Sequence, residues 1–363
     1  MQTKNLKGLN LAELQSFVVS LGEKKYRAAQ LFTWLYAKGV NSFDEMTDIS
    51  KGFRDSLKQH ASIVALQQTA QRVASDGTIK FLFQLEDQLA IESVLIPPQP
   101  DSPNADKRLT LCVSTQVGCP LDCNFCATGA MGFTRNLTAG EIIDQVLHAQ
   151  RTSEKRITNL VFMGMGEPML NYENVMQAID IINDEKGLNI GIRHITISTA
   201  GYADHIRRMA DENKKMKLAL SLHSLDNEKR AQLMPITKKY PVDELLKALD
   251  YYYGLTRSRP TLEYILFDGF NDTPADLQAI IKLSKRIPCK LNLIPFHPVN
   301  FMNPTGFAAT LKPTPAARIK TFADALWRAN VTAIVRGSSG EDINAACGQL
   351  AVATAKKKIQ EKQ

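Results

Sequence analysis

The 363-residue chain carries 44% hydrophobic and 22% charged residues, enough apolar material for a large core, and so reads as an ordinary globular protein with one main domain and a smaller one. No apolar run approaches the length of a spanning helix, and Met1–Lys7 has no apolar core to serve as a signal, so no bilayer anchor is expected and the cytoplasm is the expected address. The net charge of +7 favours a polyanionic partner without requiring one, and six cysteines, three of them clustered, fit a reducing compartment.

Residues 10–60 read as helical: Leu11, Leu14, Phe17, Val18 and Leu21 recur at helical spacing, and a second stretch carries Leu31, Trp34 and Leu35. Lys24, Lys25 and Arg27 fall in the turn between them, and Lys51, Arg54 and Lys58 recur on a third helix. Such charges are ordinarily the solvated face of a small bundle. From Val64 the pattern becomes β, with Ile79–Leu85 after an Asp76-Gly77 turn and Leu89–Ile96 after a second turn, a meander. Pro97, Pro98, Pro100 and Pro103 then mark a linker and the clearest domain boundary. The expected divisions are a helical unit over 1–62, meander and Pro-rich linker over 63–104, the main α/β domain over 105–350 and a basic tail over 351–363.

Beyond the linker, short buried strands are predicted at Thr110–Thr115, Asn159–Met163, His194–Ser198, Leu218–Leu222, Thr261–Leu266, Lys290–Pro295 and Thr332–Val335, separated by helical segments. That alternation predicts a parallel sheet. Loops that follow its strands meet at one rim, where α/β proteins build active sites.

One such loop is Gly118-Cys119-Pro120-Leu121-Asp122-Cys123-Asn124-Phe125-Cys126. Three thiols at C-x3-C-x2-C spacing in a tight loop resist pairing into disulfides and read as a metal site. A structural zinc site takes four ligands, and without a second C-x2-C pair only Cys112 is near enough in sequence to complete one. Three thiolates suit a [4Fe-4S] cluster with one iron left open. An open iron can chelate the amino and carboxylate groups of S-adenosylmethionine (SAM).

Cys119, Cys123 and Cys126 resemble the cluster ligands of the radical SAM superfamily. Cys112, Met163-Gly164-Met165-Gly166-Glu167-Pro168, Ser221-Leu222-His223 and Asp342-Ile343-Asn344-Ala345-Ala346-Cys347-Gly348-Gln349-Leu350 together resemble the RlmN/Cfr RNA methyltransferases, nearly end to end. The resemblance implies a partial (β/α)6 radical SAM barrel, with the helical N-terminal unit as an RNA-binding accessory domain and the β-meander as an extension. It implies that SAM is bound by Gly166, Glu167, Ser198, Ser221, Leu222, His223 and His297, the last standing where the family commonly has asparagine. It makes Cys347 the methyl acceptor, Cys112 the thiol that resolves a protein–RNA adduct as a transient disulfide, and Glu92 a proton acceptor. In isolation Cys112 and Cys347 would read as small buried apolar residues and Glu92 as an outward strand carboxylate. Cys289 matches no motif and reads as core.

The implied reaction is methylation at adenine C2 in 23S rRNA, at the peptidyl-transferase centre, and in tRNA beside the anticodon, using two SAM per turnover and an electron donor such as a flavodoxin-type system. Pro168 after Gly166-Glu167 resembles this branch, where the C8-methylating Cfr branch tends to have alanine. A reading of a different class, a non-catalytic RNA-binding or ribosome-assembly protein with a structural metal, leaves Cys112 and Cys347 without roles.

Overall fold

The computed structural model describes residues 3–98 and 108–352. Pro100 and Pro103 of the expected linker, and the tail beyond 352, lie outside the described residues. The N-terminal unit comprises β1 (Lys4–Asn5), α1 (Leu11–Ser20), α2 (Arg27–Phe32), α3 (Lys51–His60) and β2 (Ala61–Ser62), with β1 and β2 paired in parallel. Asn10 and Glu13 form a reciprocal capping box that starts α1, and α1 buries Leu14, Phe17 and Val18.

The meander is β3 (Gln67–Val73), β4 (Ile79–Gln84) and β5 (Ala90–Ile96), antiparallel throughout. Strand β5 then pairs antiparallel with β6 (Thr110–Cys112), so the meander continues the main sheet on the far side of the expected linker. After β6 come β7 (Gln116–Gly118), α4 (Ala127–Ala130), β8 (Phe133–Asn136), α5 (Ala139–Thr152), β9 (Asn159–Phe162), α6 (Tyr172–Asn183), β10 (Ile195–Thr199), α7 (Ala203–Asp211) and β11 (Lys217–Ser221). The chain ends with α8 (Asn227–Leu233), α9 (Val242–Thr256), β12 (Thr261–Leu266), α10 (Pro274–Arg286), β13 (Lys290–Pro295), α11 (Ala316–Arg328) and β14 (Ala333–Val335).

The ten-stranded sheet has the order β14-β13-β12-β11-β10-β9-β6-β5-β4-β3. Its portion from β6 to β14 is wholly parallel, each strand joined to the next through helices, as parallel pairing requires. Six strand–helix units and a last strand, with β14 and β6 unpaired to one another, make the expected partial barrel. One buried core runs from Leu6 to Val352. No helix among the described residues is long and apolar enough to cross a membrane.

The strand expected over 110–115 is broken. Strand β6 stops at Cys112, because Thr115 and Gln116 both donate their N–H groups to Met165 O (2.8 and 3.2 Å) and Gly164 N–H donates to Val113 O (3.1 Å). The ladder is thereby exchanged for a clamp on the glycine turn that follows β9, and the chain departs into β7.

Candidate functional site

Strands β7 and β8 form a hairpin that closes the cysteine loop, with Cys119 N–H donating to Gly132 O at 2.9 Å. Asn124 donates through its backbone to Leu233 O (3.0 Å) and through Nδ2 to Gln232 O (2.7 Å), at the end of α8. Ala127 N–H donates to Gly348 O (2.7 Å) and Thr128 Oγ1 to Leu350 O (2.7 Å), so the C-terminal turn covers the same loop. Burial pushes the Cys119 thiol up to about 12 and that of Cys123 well above its ordinary value, and in both the charge of Cys126 is the next cause. Three half-buried thiols that oppose one another's ionisation are a donor set in want of metal cations. Among the described residues no three His, Cys, Asp or Glu side chains are placed to hold a single metal ion. Cys112 stands apart from the trio, facing Cys347 instead, and does not complete a zinc site.

Arg230 supplies a second observation. It is fully buried, and it donates through Nε to Leu222 O (3.0 Å), through Nη2 to Ala200 O (2.6 Å) and Ser221 O (2.9 Å), and through Nη1 to Thr237 Oγ1 (2.7 Å). All four acceptors are neutral. Burial lowers its pKa to about 10, and the opposing influence is the charge of Cys123. An anionic iron–sulfur centre on the three thiols fits this pocket, because it provides the countercharge that Arg230 otherwise lacks.

The turn after β9 is built on Gly166, at φ +98, where a Cβ would lie 2.5 Å from Gln116 Cβ. Only glycine fits there. Glu167 N–H donates to Gln116 Oε1 (2.8 Å), and its carboxylate accepts N–H groups from Met169 (3.0 Å) and, across to the end of β10, Ala200 (2.8 Å). Burial raises its carboxyl to about 7 against those hydrogen bonds. Ser198, half-buried, stands in register with Ala219 of β11, and Ser221 closes that strand. Leu222 and His223 are buried, and both donate N–H groups to Glu263 O (3.0 and 3.3 Å). Ile265 N–H donates to His223 Nδ1 (3.0 Å), which puts the ring proton on Nε2. Burial, with the charge of Arg230 adding, lowers His223 to about 3, so the ring is neutral, and it meets Phe125 of the cysteine loop edge-on at 4.9 Å.

Cys112 and Cys347 line one narrow cleft together with Met163, His297, Arg336 and Ser338. Burial pushes the Cys112 thiol up to about 12; the charge of Cys347 adds to the rise and that of Arg336 opposes it. All six cysteines are free thiols, and Cys289 is buried core. His297 Nε2 meets Ser338 Oγ and lies 3.5 Å from Glu341 Oε1, so the histidine belongs to this cleft. Glu92 is buried rather than outward-facing, 3.1 Å from Lys80 Nζ.

The structure thus gathers the cysteine loop, the Gly166-Glu167 and Ser221–His223 turns and the Cys112/Cys347 cleft at the carboxyl ends of the parallel strands. Sequence reasoning missed Arg336, Arg230 and Lys80. Arg336 carries a usable signal, since Arg336-Gly337-Ser338-Ser339-Gly340 follows an apolar strand as the other site turns do. Arg230 and Lys80 carry none, for each reads as a solvated charge within its element.

Residues 4–63 match the Ribosomal RNA large subunit methyltransferase N-terminal domain. Residues 113–284 match the Radical SAM superfamily, whose members use a [4Fe-4S] cluster and SAM. The chain is 47% identical over 348 residues to a probable dual-specificity RNA methyltransferase RlmN of Thermotoga sp. (strain RQ2), covering 96% of this chain and 97% of that one. It is 45% identical over 352 residues to the dual-specificity RNA methyltransferase RlmN of Syntrophobacter fumaroxidans, covering 96% and 98%. A crystal structure of a radical SAM methyltransferase from Sphaerobacter thermophilus superposes with a TM-score of 0.87 at 41% identity, over 96% of this chain and 99% of that one. With relatives this similar along nearly its whole length, the chain belongs to the RlmN family of the radical SAM superfamily.

Proposed function

We propose that this protein methylates C2 of adenine in RNA, acting on 23S rRNA at the peptidyl-transferase centre and on tRNA beside the anticodon. The observation that carries the reading is the cleft lined by both Cys112 and Cys347, two thiols outside the cysteine loop. An adenine ring carbon is neither nucleophilic nor acidic, so polar transfer straight from a sulfonium fails and the methyl group must pass through the protein. The solvent-facing Lys24, Lys25 and Tyr26, with Arg27 stacked 5.0 Å over the Tyr26 ring, support RNA contact by the N-terminal unit.

In this reading Cys119, Cys123 and Cys126 hold the cluster, and Gly166, Glu167, Ser198, Ser221, Leu222, His223 and His297 surround SAM. When bound, these groups supply a one-electron cleavage of the sulfonium, driven by a flavodoxin-type donor, that yields a radical able to abstract hydrogen. Cys347 Sγ, as thiolate beside Arg336, first bonds the methyl carbon of one SAM as the old C–S bond breaks. Its S-methyl group then loses a hydrogen atom to that radical, bonds to C2 and, after passing one electron to an oxidised acceptor such as the spent cluster, leaves the RNA tethered to Cys347. Cys112 takes the C2 proton and passes it to Glu92. The Cys112 thiolate then attacks the sulfur of Cys347, breaking its bond to carbon and forming a disulfide that must be reduced before the next turnover, while the released methylene carbon keeps the electron pair and takes back a proton, from Glu92 or solvent, to become the methyl group. Two SAM are used per cycle.

Mass spectrometry of protein made with methyl-labelled methionine should find the label on Cys347, and digests of product RNA should contain 2-methyladenosine. An unlabelled Cys347 would end the reading. Recovery of 8-methyladenosine instead would move the protein to the C8 branch, against the support that Pro168 gives to C2.

A further inference from the structure

Ser221, Glu263 and Asn292 are in direct register across β11, β12 and β13. Partners in register on parallel strands present their side chains on one face of the sheet. Two observations fix that face as the barrel interior. Tyr264, the next residue after Glu263, stacks on Phe322 of the outer helix α11 with ring centres 6.5 Å apart, and Ile294, two residues after Asn292, lines the Cys112/Cys347 cleft. Glu263 is therefore an inward carboxylate between the Ser221–His223 turn, which its own backbone carbonyl anchors, and the thiol cleft.

That carboxylate is 4% exposed. Oε1 accepts Asn292 Nδ2 at 2.9 Å, and Oε2 is buried with no hydrogen-bond partner among the described residues. The charge of Arg336 reaches Glu263 and offsets part of its burial, yet it leaves Oε2 unbonded. A buried carboxylate oxygen without a donor is costly, and one held in a ligand chamber awaits a donor that arrives with the ligand.

We propose that Glu263 is a further cofactor-binding residue, its Oε2 accepting a hydrogen bond from a ribose hydroxyl of SAM. The assignment rests on the SAM reading of the Ser221–His223 turn. SAM carries few donors: its ammonium group, two ribose hydroxyls and the adenine amino group. The amino group goes to the open iron in that reading, and a neutral hydroxyl suits a carboxylate whose charge Arg336 partly offsets.

The test is calorimetric binding of S-adenosylhomocysteine and of its 2′-deoxy, 3′-deoxy and 6-deamino counterparts to the anaerobically reconstituted full chain, with no turnover involved. Wild type should bind one deoxy compound about 10- to 100-fold more weakly than the parent, the loss expected for a hydrogen bond to a charged acceptor. Glu263→Met should bind parent and deoxy compound alike, at the weaker level. Equal binding of parent and both deoxy compounds by wild type would overturn the assignment, as would a loss confined to the 6-deamino compound or undiminished discrimination in E263M. The analogue series on wild type can overturn the assignment even if E263M does not fold. Failure of wild type to bind the parent at all would instead overturn the SAM reading itself, and this assignment with it.

Discussion

Glu92 Oε2 accepts the backbone N–H of Ala351 at 3.0 Å across 259 residues of chain, while Lys80, 3.1 Å from its Oε1, donates to Asn344 O at 3.1 Å. The ion pair thus tethers the C-terminal turn on both sides of Cys347 to the meander. Removing one member of a buried pair leaves the other uncompensated, at about 3–5 kcal/mol, whereas removing both charges relieves much of that. Lys80→Met should therefore destabilise the protein strongly and K80M/E92Q should be more stable than K80M. Chemical denaturation of both proteins checks this, and strictly additive losses would dispose of the tether.

Gly118 and Gly22 make a controlled pair. Both have positive φ (+76 and +80), but a Cβ on Gly118 would sit 1.8 Å from Gly132 O, whereas one on Gly22 meets nothing within 4 Å. Gly22→Ala should carry only left-handed strain, about 1–2 kcal/mol. Gly118→Ala must also part β7 from β8, so the cysteine loop opens. Iron per chain after reconstitution should fall sharply in G118A and hold in G22A, and matching iron contents would refute this account of how the loop is closed.

The parallel sheet was legible in the sequence because buried strands of uniform apolar character alternate with amphipathic helices, and the turns after those strands carry their own glycine and cysteine signatures, whereas its form as a partial barrel was implied by the family resemblance. What stayed hidden depends on register and on contacts distant in sequence. The break after Cys112 arises from bonds to Met165 that no local pattern announces. Glu263 reads as a lone charge in an apolar strand, and only the pairing with Ser221 and Asn292 turns it inward. Lys80 is similar, since it stands next to the buried Phe81 where strand alternation would turn it to solvent, and nothing local distinguishes a solvated lysine from one that holds Glu92.

Glu167 makes stability depend on pH. Its carboxyl is raised from an unfolded value of 4.5 to about 7, so the native state binds the proton more tightly than the unfolded chain. Its contribution is then most favourable at and below pH 4.5 and is lost as pH rises through 7. Glu167→Gln removes the titration, although its amide opposes one of the two N–H donors and costs stability at every pH. In the apoprotein the stability of E167Q relative to wild type should rise by about 2–3 kcal/mol between pH 4.5 and 7.5, a difference set by the size of the shift. Melting curves taken across that interval give the slope, and a flat difference would mean that Glu167 is not a titrating buried acid.

Arg230 separates geometry from charge. Its planar fork reaches acceptors on the ends of β10 and β11 and on Thr237 together, which a lysine ammonium cannot do. Arg230→Lys should leave buried carbonyls unpaired and cost roughly 3–5 kcal/mol, yet keep a cation near Cys123. Arg230→Met removes the cation as well, so an anionic centre on Cys119, Cys123 and Cys126 loses its countercharge. If that is the role of Arg230, R230M should release iron to a chelator much faster than R230K at matched margins below their melting points. Equal release rates would mean that Arg230 serves only to tie strand ends, and the electrostatic argument for an anionic centre in this pocket would lapse.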